Sequence, residues 1–368
     1  MRTANITTDQ LDKALTHGMA ILSLGASPMS GGNTSHRFIV SNPFNIQFNA
    51  NESVSLNTGA SIFRTNILTL QGRNGFDLNL DLVYNSSQAE LLTRSMGMWS
   101  SHTIGRRTNG FGLPTGWLYD LPYIADNALH LPGRGMFNID PSGNIIDYPR
   151  NDMQLEWYWG FNNGHMLQSN QRLRFHNGTR YYFNNGRIIG MADRFGNTIR
   201  FEYTMQPQFG NHMLLSRIVS TYGQESVVNF TYTVFGNNRM ITITSPDGST
   251  YHINMSYIFG YSWGEGNLQH RHFWLQNVVN QVGAITSFNY EMRHLFYCFI
   301  CMGSCGCAYP IPTMLLTQVN YPSQANNPHG AALSFSYDTT VGMMALNSMG
   351  FAAIRQVARV RSRGLSYD

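Results

Sequence analysis

Along residues 76–86, "FDLNLDLVYNS", apolar Phe76, Leu78, Leu80 and Leu82 alternate with polar neighbours. That is the two-residue period of a strand with one buried face. Short runs of this kind fill residues 37–125, interrupted by "FGLPTGW" (111–117) and resumed at "DLPYI" (120–124). From 126 onward, turn chemistry sets the spacing. Asp140-Pro141-Ser142-Gly143 and Ser245-Pro246-Asp247-Gly248 each place a short acceptor first, Pro second and Gly fourth, as a type I turn favours. Asn177-Gly178 and Asn185-Gly186 lie between strand-like runs and offer the positive-φ pair of a type I′ hairpin. The stretch "RLRFHNGTRYYFNNGRIIGM" (172–191) therefore predicts three consecutive antiparallel strands.

The same unit then recurs. Turn pairs Asp193/Gly196, Ser220/Gly223, Ser245/Gly248 and Asn280/Gly283 each lead into a strand ending in tyrosine: Tyr203, Tyr232, Tyr257 and Tyr290. Successive tyrosines lie 29, 25 and 33 residues apart, a loose period of one turn and two strands that indicates stacked hairpins. The predicted fold class is mainly β, an antiparallel meander of stacked hairpins with a short N-terminal helix. That helix is placed over residues 8–22, where Thr7 and Gln10 have capping-box spacing and Leu11, Leu15 and Met19 share a face. A second helix is allowed over 341–360. The chain divides into a helix and linker (1–36), a β region (37–125), the hairpin repeats (126–340) and a C-terminal segment (341–368).

Composition agrees with extended sheets. Charged residues make up 12% of the 368 residues and aromatics 13%, about half the usual charged share. Such a chain is neither a coiled coil nor disordered. The net charge of +4 includes no basic block, which argues against a nucleic-acid partner. The densest basic stretch, "RQVARVRSRG" (355–364), reads as a solvated face. No run of 18 apolar residues predicts a membrane-spanning helix. Asp9, Asp12 and His17 interrupt the apolar N-terminal patch, which therefore lacks the form of a signal peptide.

The units "DRFGNTIRFEY", "STYGQESVVNFTY", "ITSPDGSTYHINMSY" and "NQVGAITSFNY" resemble the YD-repeat (Rhs) family. The segments "NTGASIFRTNILTLQGRNGFDLNLDLVYNS", "GLPTGW" and "DLPYI" look like what precedes the repeats in that family, so the resemblance spans residues 51–290. It implies a long sheet closing as a hollow shell, which in bacterial polymorphic toxins encloses a toxin. The chain looks like the opening portion of such a shell. Its implied role is a non-enzymatic, encapsulating β-repeat protein, secreted or at the cell surface. Its implied partners are further YD-repeat polypeptide or a second copy, through open sheet edges, with a toxin as cargo. The sequence departs from the family at the residue after each turn glycine, which is Asn197, Gln224, Ser249 or Ala284 instead of Arg. Literal Tyr-Asp occurs only at Tyr337-Asp338 and Tyr367-Asp368. The alternative class is a surface adhesin or glycan-binding module using the same sheet.

Few residues suggest chemistry. All four cysteines, Cys298, Cys301, Cys305 and Cys307, fall within ten residues. Cys-x2-Cys offers two thiolates to zinc from one turn. The second pair follows closely, so the candidate zinc set is cramped, and His294 is a substitute ligand. Local disulfides and free thiols are the other readings. His270 and His272 share a strand face, with Glu265 and Glu291 the nearest acids in sequence; polar residues on a wet face is the reading preferred. No nucleophile elbow, zincin motif or phosphate-binding loop is present, so no catalytic residue, cofactor or enzyme activity is expected. In "EWYWGF" (156–161), Trp157 and Trp159 alternate with Tyr158. Exposed, they would stack on sugar rings; buried, they would pack neighbouring hairpins, the use a thin sheet favours.

Overall fold

The computed structural model describes residues 45–49, 52–55, 60–91, 111–209, 212–221, 226–258, 272–301, 304–322, 331–344 and 352–367, less six single loop positions between 126 and 166. Helix among them is limited to three-residue 3-10 turns such as Arg73–Gly75 and Ser86–Gln88. The helix expected over 8–22 lies outside the described residues.

Two antiparallel sheets carry the strands. The first is ordered β1 (Asn45–Asn49), β2 (Glu52–Ser55), β3 (Ser61–Leu70), β4 (Leu78–Asn85) and β5 (Trp117–Tyr119). In β4 the alternation reads out as burial: Leu78, Leu80 and Leu82 are buried, and Asn79 is exposed. The second sheet takes the remaining strands and closes on itself. It contains β6 (Tyr123–Ala125), β7 (Ala128–Leu131), β8 (Gly135–Asn138), β9 (Met153–Trp157), β10 (Gln171–Phe175), β11 (Arg180–Asn184), β12 (Arg187–Ala192) and β13 (Thr198–Gln206). It continues through β14 (His212–Ser220), β15 (Ser226–Phe235), β16 (Asn238–Thr244), β17 (Thr250–Ile258) and β18 (His272–Val279). Its longest strands come last: β19 (Ile285–Cys301), β20 (Ser304–Tyr321), β21 (Ala331–Met344) and β22 (Ala352–Tyr367). From β9 to β22 each strand pairs with the next, the meander that successive short turns impose.

The segment 341–360 corrects the sequence reading. Among its described residues no helix forms: Ala331–Met344 and Ala352–Tyr367 are strands. Ala, Met, Gln and Arg give this stretch local helix preference, but β22 pairs with β21 from Tyr367 back to Ala353, with one slip at Arg361, and also pairs with β19 at Ala352–Arg355. Ladder hydrogen bonds on two sides override that preference.

The turns show how local chemistry builds the meander. In Asp193–Asn197, the Gly196 amide donates to the Asp193 carbonyl (3.4 Å) and the Asp193 amide to the Asn197 carbonyl (3.0 Å), with Gly196 at φ 88°. Asp140–Asn144, Ser245–Ser249 and Asn280–Ala284 repeat the pattern, with Gly143, Gly248 and Gly283 at φ 90°, 85° and 79°. Each is a type I turn closed by a glycine bulge, where only glycine takes the left-handed conformation without strain. The Asp193 carboxylate accepts from the amides of Phe195 (2.8 Å) and Asn197 (2.9 Å), and the Asn280 side chain does the same for Val282 and Ala284. Gly223 lies outside the described residues. Asn185 and Gly186 both have positive φ, 46° and 79°, the pair a type I′ turn requires. Asn177-Gly178 is different. Only Gly178 is left-handed, and Phe175 bonds to Thr179 across the loop, so this is a fifth type I turn with a glycine bulge.

The first sheet lies against the second through one continuous core. Phe63 packs edge-on against Phe288 (ring centroids 5.9 Å apart), Trp117 against Phe288 (4.8 Å) and Tyr119 against Phe230 (5.9 Å). Fully burying side chains of this size contributes about 2–3 kcal/mol each. Polar ties fix the docking. The Tyr84 hydroxyl donates to the Met314 carbonyl (2.8 Å) and accepts from the Leu316 amide (3.0 Å). The Trp117 indole donates to the Tyr290 oxygen at 2.9 Å. Where these residues meet, the face of the long sheet is filled by side chains.

Candidate functional site

The recurring element of this chain is a β-bulge joined to a buried tyrosine. Between β13 and β14, Glu202 pairs with Arg217 and Tyr203 with Leu215, leaving Ser216 as the extra residue. The same one-residue slip leaves out Ile189 in β12, Gln276 in β18, Thr317 in β20 and Arg361 in β22. A bulge interrupts the ladder and bends the strand, and its unpaired backbone group needs a partner if buried. The next strand supplies one. The Tyr203 hydroxyl donates to the Ile188 carbonyl (2.8 Å), Tyr232 to Leu215 (2.6 Å) and Tyr337 to Leu316 (2.7 Å), in each case the residue just before the extra one. Burial raises the pKa of all three phenols well above the ordinary value, so they remain donors.

Two residues before each of these tyrosines stands a buried phenylalanine: Phe201, Phe230 and Phe335. Phe288-Asn289-Tyr290 has the same form, and Tyr290 sits opposite the bulge at Thr317 while its oxygen receives the Trp117 indole. Sequence reading grouped Tyr203, Tyr232, Tyr257 and Tyr290. The structure adds Tyr337 and sets Tyr257 apart, because Tyr257 follows β16, whose ladder to β15 runs without a slip. The signal was available in Phe-x-Tyr, with Ile188, Leu215 or Leu316 lying 15, 17 or 21 residues upstream. Counting tyrosines alone missed it.

The aromatic pair in "EWYWGF" is a second candidate. Trp157 and Trp159 are 51% and 58% exposed, with rings near-parallel (14°) and centroids 6.1 Å apart. The packing reading is therefore corrected for both. Trp157 ends β9, where the strand has run past the core, and its indole donates to the Ser142 carbonyl at 3.0 Å. Tyr158 does pack, beside Tyr182 and beneath the Arg172 guanidinium, which lies 3.8 Å from its ring centre.

A cleft of about 550 Å³ opens beside β9–β11, lined by Asn144, Tyr148, Gln154, Arg174, His176 and Arg180 among others. Tyr148 donates a short hydrogen bond to Asp152, which also pairs with Arg134 at 3.1 Å. The bond from Tyr148, helped by Arg134, holds the Asp152 carboxyl below its usual range; partial burial and that same bond raise the phenol. Sequence reading did not single out this cleft. Its one local signal is the symmetric placement of Arg174 and Arg180 about "FHNGT".

The cysteines fall on the two arms of the β19–β20 hairpin. Cys298 stands opposite Ala308, Cys301 opposite Ser304 and Cys305 opposite Ile300, while Cys307 lies in the register shift between them; their side chains lie outside the described residues. His272 begins β18, paired through its backbone with Ile258. His270 and Glu265 lie outside the described residues, and Glu291 forms a two-point ion pair with Arg293 (2.8 and 3.0 Å).

No family model and no curated protein matches this chain. Among solved structures, it is similar to a porin-like protein from Bacteroides uniformis ATCC 8492, with 12% identity, a TM-score of 0.25, and 53% of this chain and 93% of that one covered. It is also similar to the N-terminal domain of effector protein SpvB from Salmonella typhimurium strain LT2, with 10% identity, a TM-score of 0.22, and 83% and 99% covered. Likenesses this loose carry no argument. The bulge–tyrosine units and the two surface sites stand on their own geometry.

Proposed function

We propose that this chain is a wall-forming β-repeat protein of the YD-repeat type, the opening portion of an encapsulating shell in a toxin-type system. Its work is mechanical rather than catalytic. The observation that supports this reading is the repeated coupling of a bulge to the tyrosine of the next strand. At β12, β14 and β20 the bulge bends its strand, a tyrosine locks that bend from the buried side, and the sheet gains curvature at each such unit. A wall needs this property, and side chains spent on it are unavailable for chemistry. Its partners are further repeat polypeptide or a second copy, joined through the end strands of the first sheet, β1 and β5, because the second sheet closes on itself.

Sedimentation velocity over a concentration series, combined with turnover assays on sugars, esters, peptides and nucleic acids, tests the proposal. The expected result is concentration-dependent association without turnover, unchanged when His270 and His272 are both replaced by Ala. A monomer at every concentration that hydrolyses one of these substrates, and loses that activity in the double variant, would overturn it.

A second reading, a glycan-binding surface module, is favoured by the exposed pair Trp157 and Trp159, since flat aromatic faces in water are suited to sugar rings. Glycan-array binding lost in Trp157→Ala and Trp159→Ala, with association intact, would place this reading first.

A further inference from the structure

The hairpin β10–β11 sets Arg174 directly opposite Arg180. Like charges facing each other across an antiparallel ladder destabilise it, and the surroundings compensate only in part, at Arg174. Glu156 is committed to Arg172 at 2.6 Å and lies 3.9 Å from Arg174. Asp152 is committed to Tyr148 and Arg134. Among the described residues, Arg180 has no acidic partner. Both arginines line the cleft of about 550 Å³, joined there by His176. An anion placed between the two forks would gain two planar, charge-assisted contacts. The rest of the cleft narrows the ligand class. The Gln154 amide can bond to hydroxyl groups, and the volume suits one or two sugar residues.

We propose that this cleft binds an oxyanion-bearing sugar, carboxylated or sulfated, with Arg174 and Arg180 clamping the anionic group. The inference does not rest on the wall-forming reading, and neither exposed tryptophan lines the cleft.

The test is calorimetric titration of the full chain with a uronic-acid disaccharide, a sulfated disaccharide, their uncharged counterpart and inorganic sulfate. At least one charged sugar should bind about tenfold more tightly than the uncharged one, and the tighter of the two identifies the oxyanion. Arg180→Gln should lose about that tenfold yet melt at the same or a higher temperature, because it also relieves the like-charge pair. Arg180→Lys, which keeps the charge but not the fork, should weaken binding without raising the melting temperature. Equal binding of charged and uncharged sugars, no binding of either charged sugar, or sulfate alone binding as tightly as the sulfated sugar would overturn the proposal. So would a fall in melting temperature for both variants, since the pair would then be structural.

Discussion

Replacing Tyr232 with Phe isolates the bond on which the wall-forming reading depends. The ring is 4% exposed and packs edge-on against Phe209 (5.1 Å) and near Tyr119, so removing one oxygen leaves those contacts in place. What disappears is the 2.6 Å bond to the Leu215 carbonyl beside the Ser216 bulge. A buried neutral hydrogen bond contributes about 0.5–1.5 kcal/mol net, and a buried carbonyl left without its partner costs about 1–3 kcal/mol. These two figures overlap rather than add, and the expected loss is about 1.5–2 kcal/mol. In a chain of 368 residues one denaturation curve need not be two-state, so the primary assay is hydrogen exchange read peptide by peptide. Amides of 214–218 should exchange at least about tenfold faster, with lesser change in the first sheet. Tyr181→Phe is the control: its ring contacts Phe175 at 5.0 Å in a half-buried setting, and the expected cost is under about 0.5 kcal/mol. Equal exchange around Ser216 in wild type and Tyr232→Phe, or a control as damaging as the variant, would refute the bulge-locking argument.

Three further outcomes are expected. Gly186→Val should destabilise by at least about 2 kcal/mol in urea unfolding, because the glycine has φ 79° and an added Cβ would lie 2.1 Å from the Ile124 carbonyl oxygen; an unchanged midpoint would remove the type I′ assignment. At the 193–197 turn, burial opposes the Asp193 charge, but hydrogen bonds from the Asn197 side chain and from the amides of Asn197, Phe195 and Gly196 outweigh it and lower the pKa. Its stabilising contribution is thus full above the unfolded value of about 3.9 and lost as pH falls through the lower folded value. Asp193→Asn should flatten that acid limb while keeping the turn, as Asn280 does in the equivalent place; an acid limb of unchanged slope would refute the assignment. For the cysteines, a zinc site predicts about one metal per chain by elemental analysis, released in Cys298→Ser with Cys301→Ser; four titratable thiols in denaturant and no metal would leave the β19–β20 hairpin with no metal role.

The sequence by itself determined the class of fold and most of its punctuation. A short acceptor three residues before glycine specifies a five-residue hairpin loop through bonds that never leave the loop, as at Asp193–Asn197 and Asn280–Ala284. That is why these turns were legible from neighbouring residues alone. What required the tertiary structure was every feature set by a strand's neighbour. Asn177-Gly178 carries the same dipeptide as Asn185-Gly186 yet forms a different turn, because the register from Phe175 to Thr179 selects it. Residues 352–360, within a stretch of helix-like composition, became strand, because β19 and β21 offered ladders on both sides. Tyr337 joined the buried series, while Tyr257, at the expected spacing, stayed outside it. Trp157 and Trp159 were left in solvent, and Arg174 was brought opposite Arg180. Turn formation is local and depends on residues a few positions apart. Register, bulge position and exposure depend on which strands meet, and a slip of a single residue reverses which face a side chain occupies.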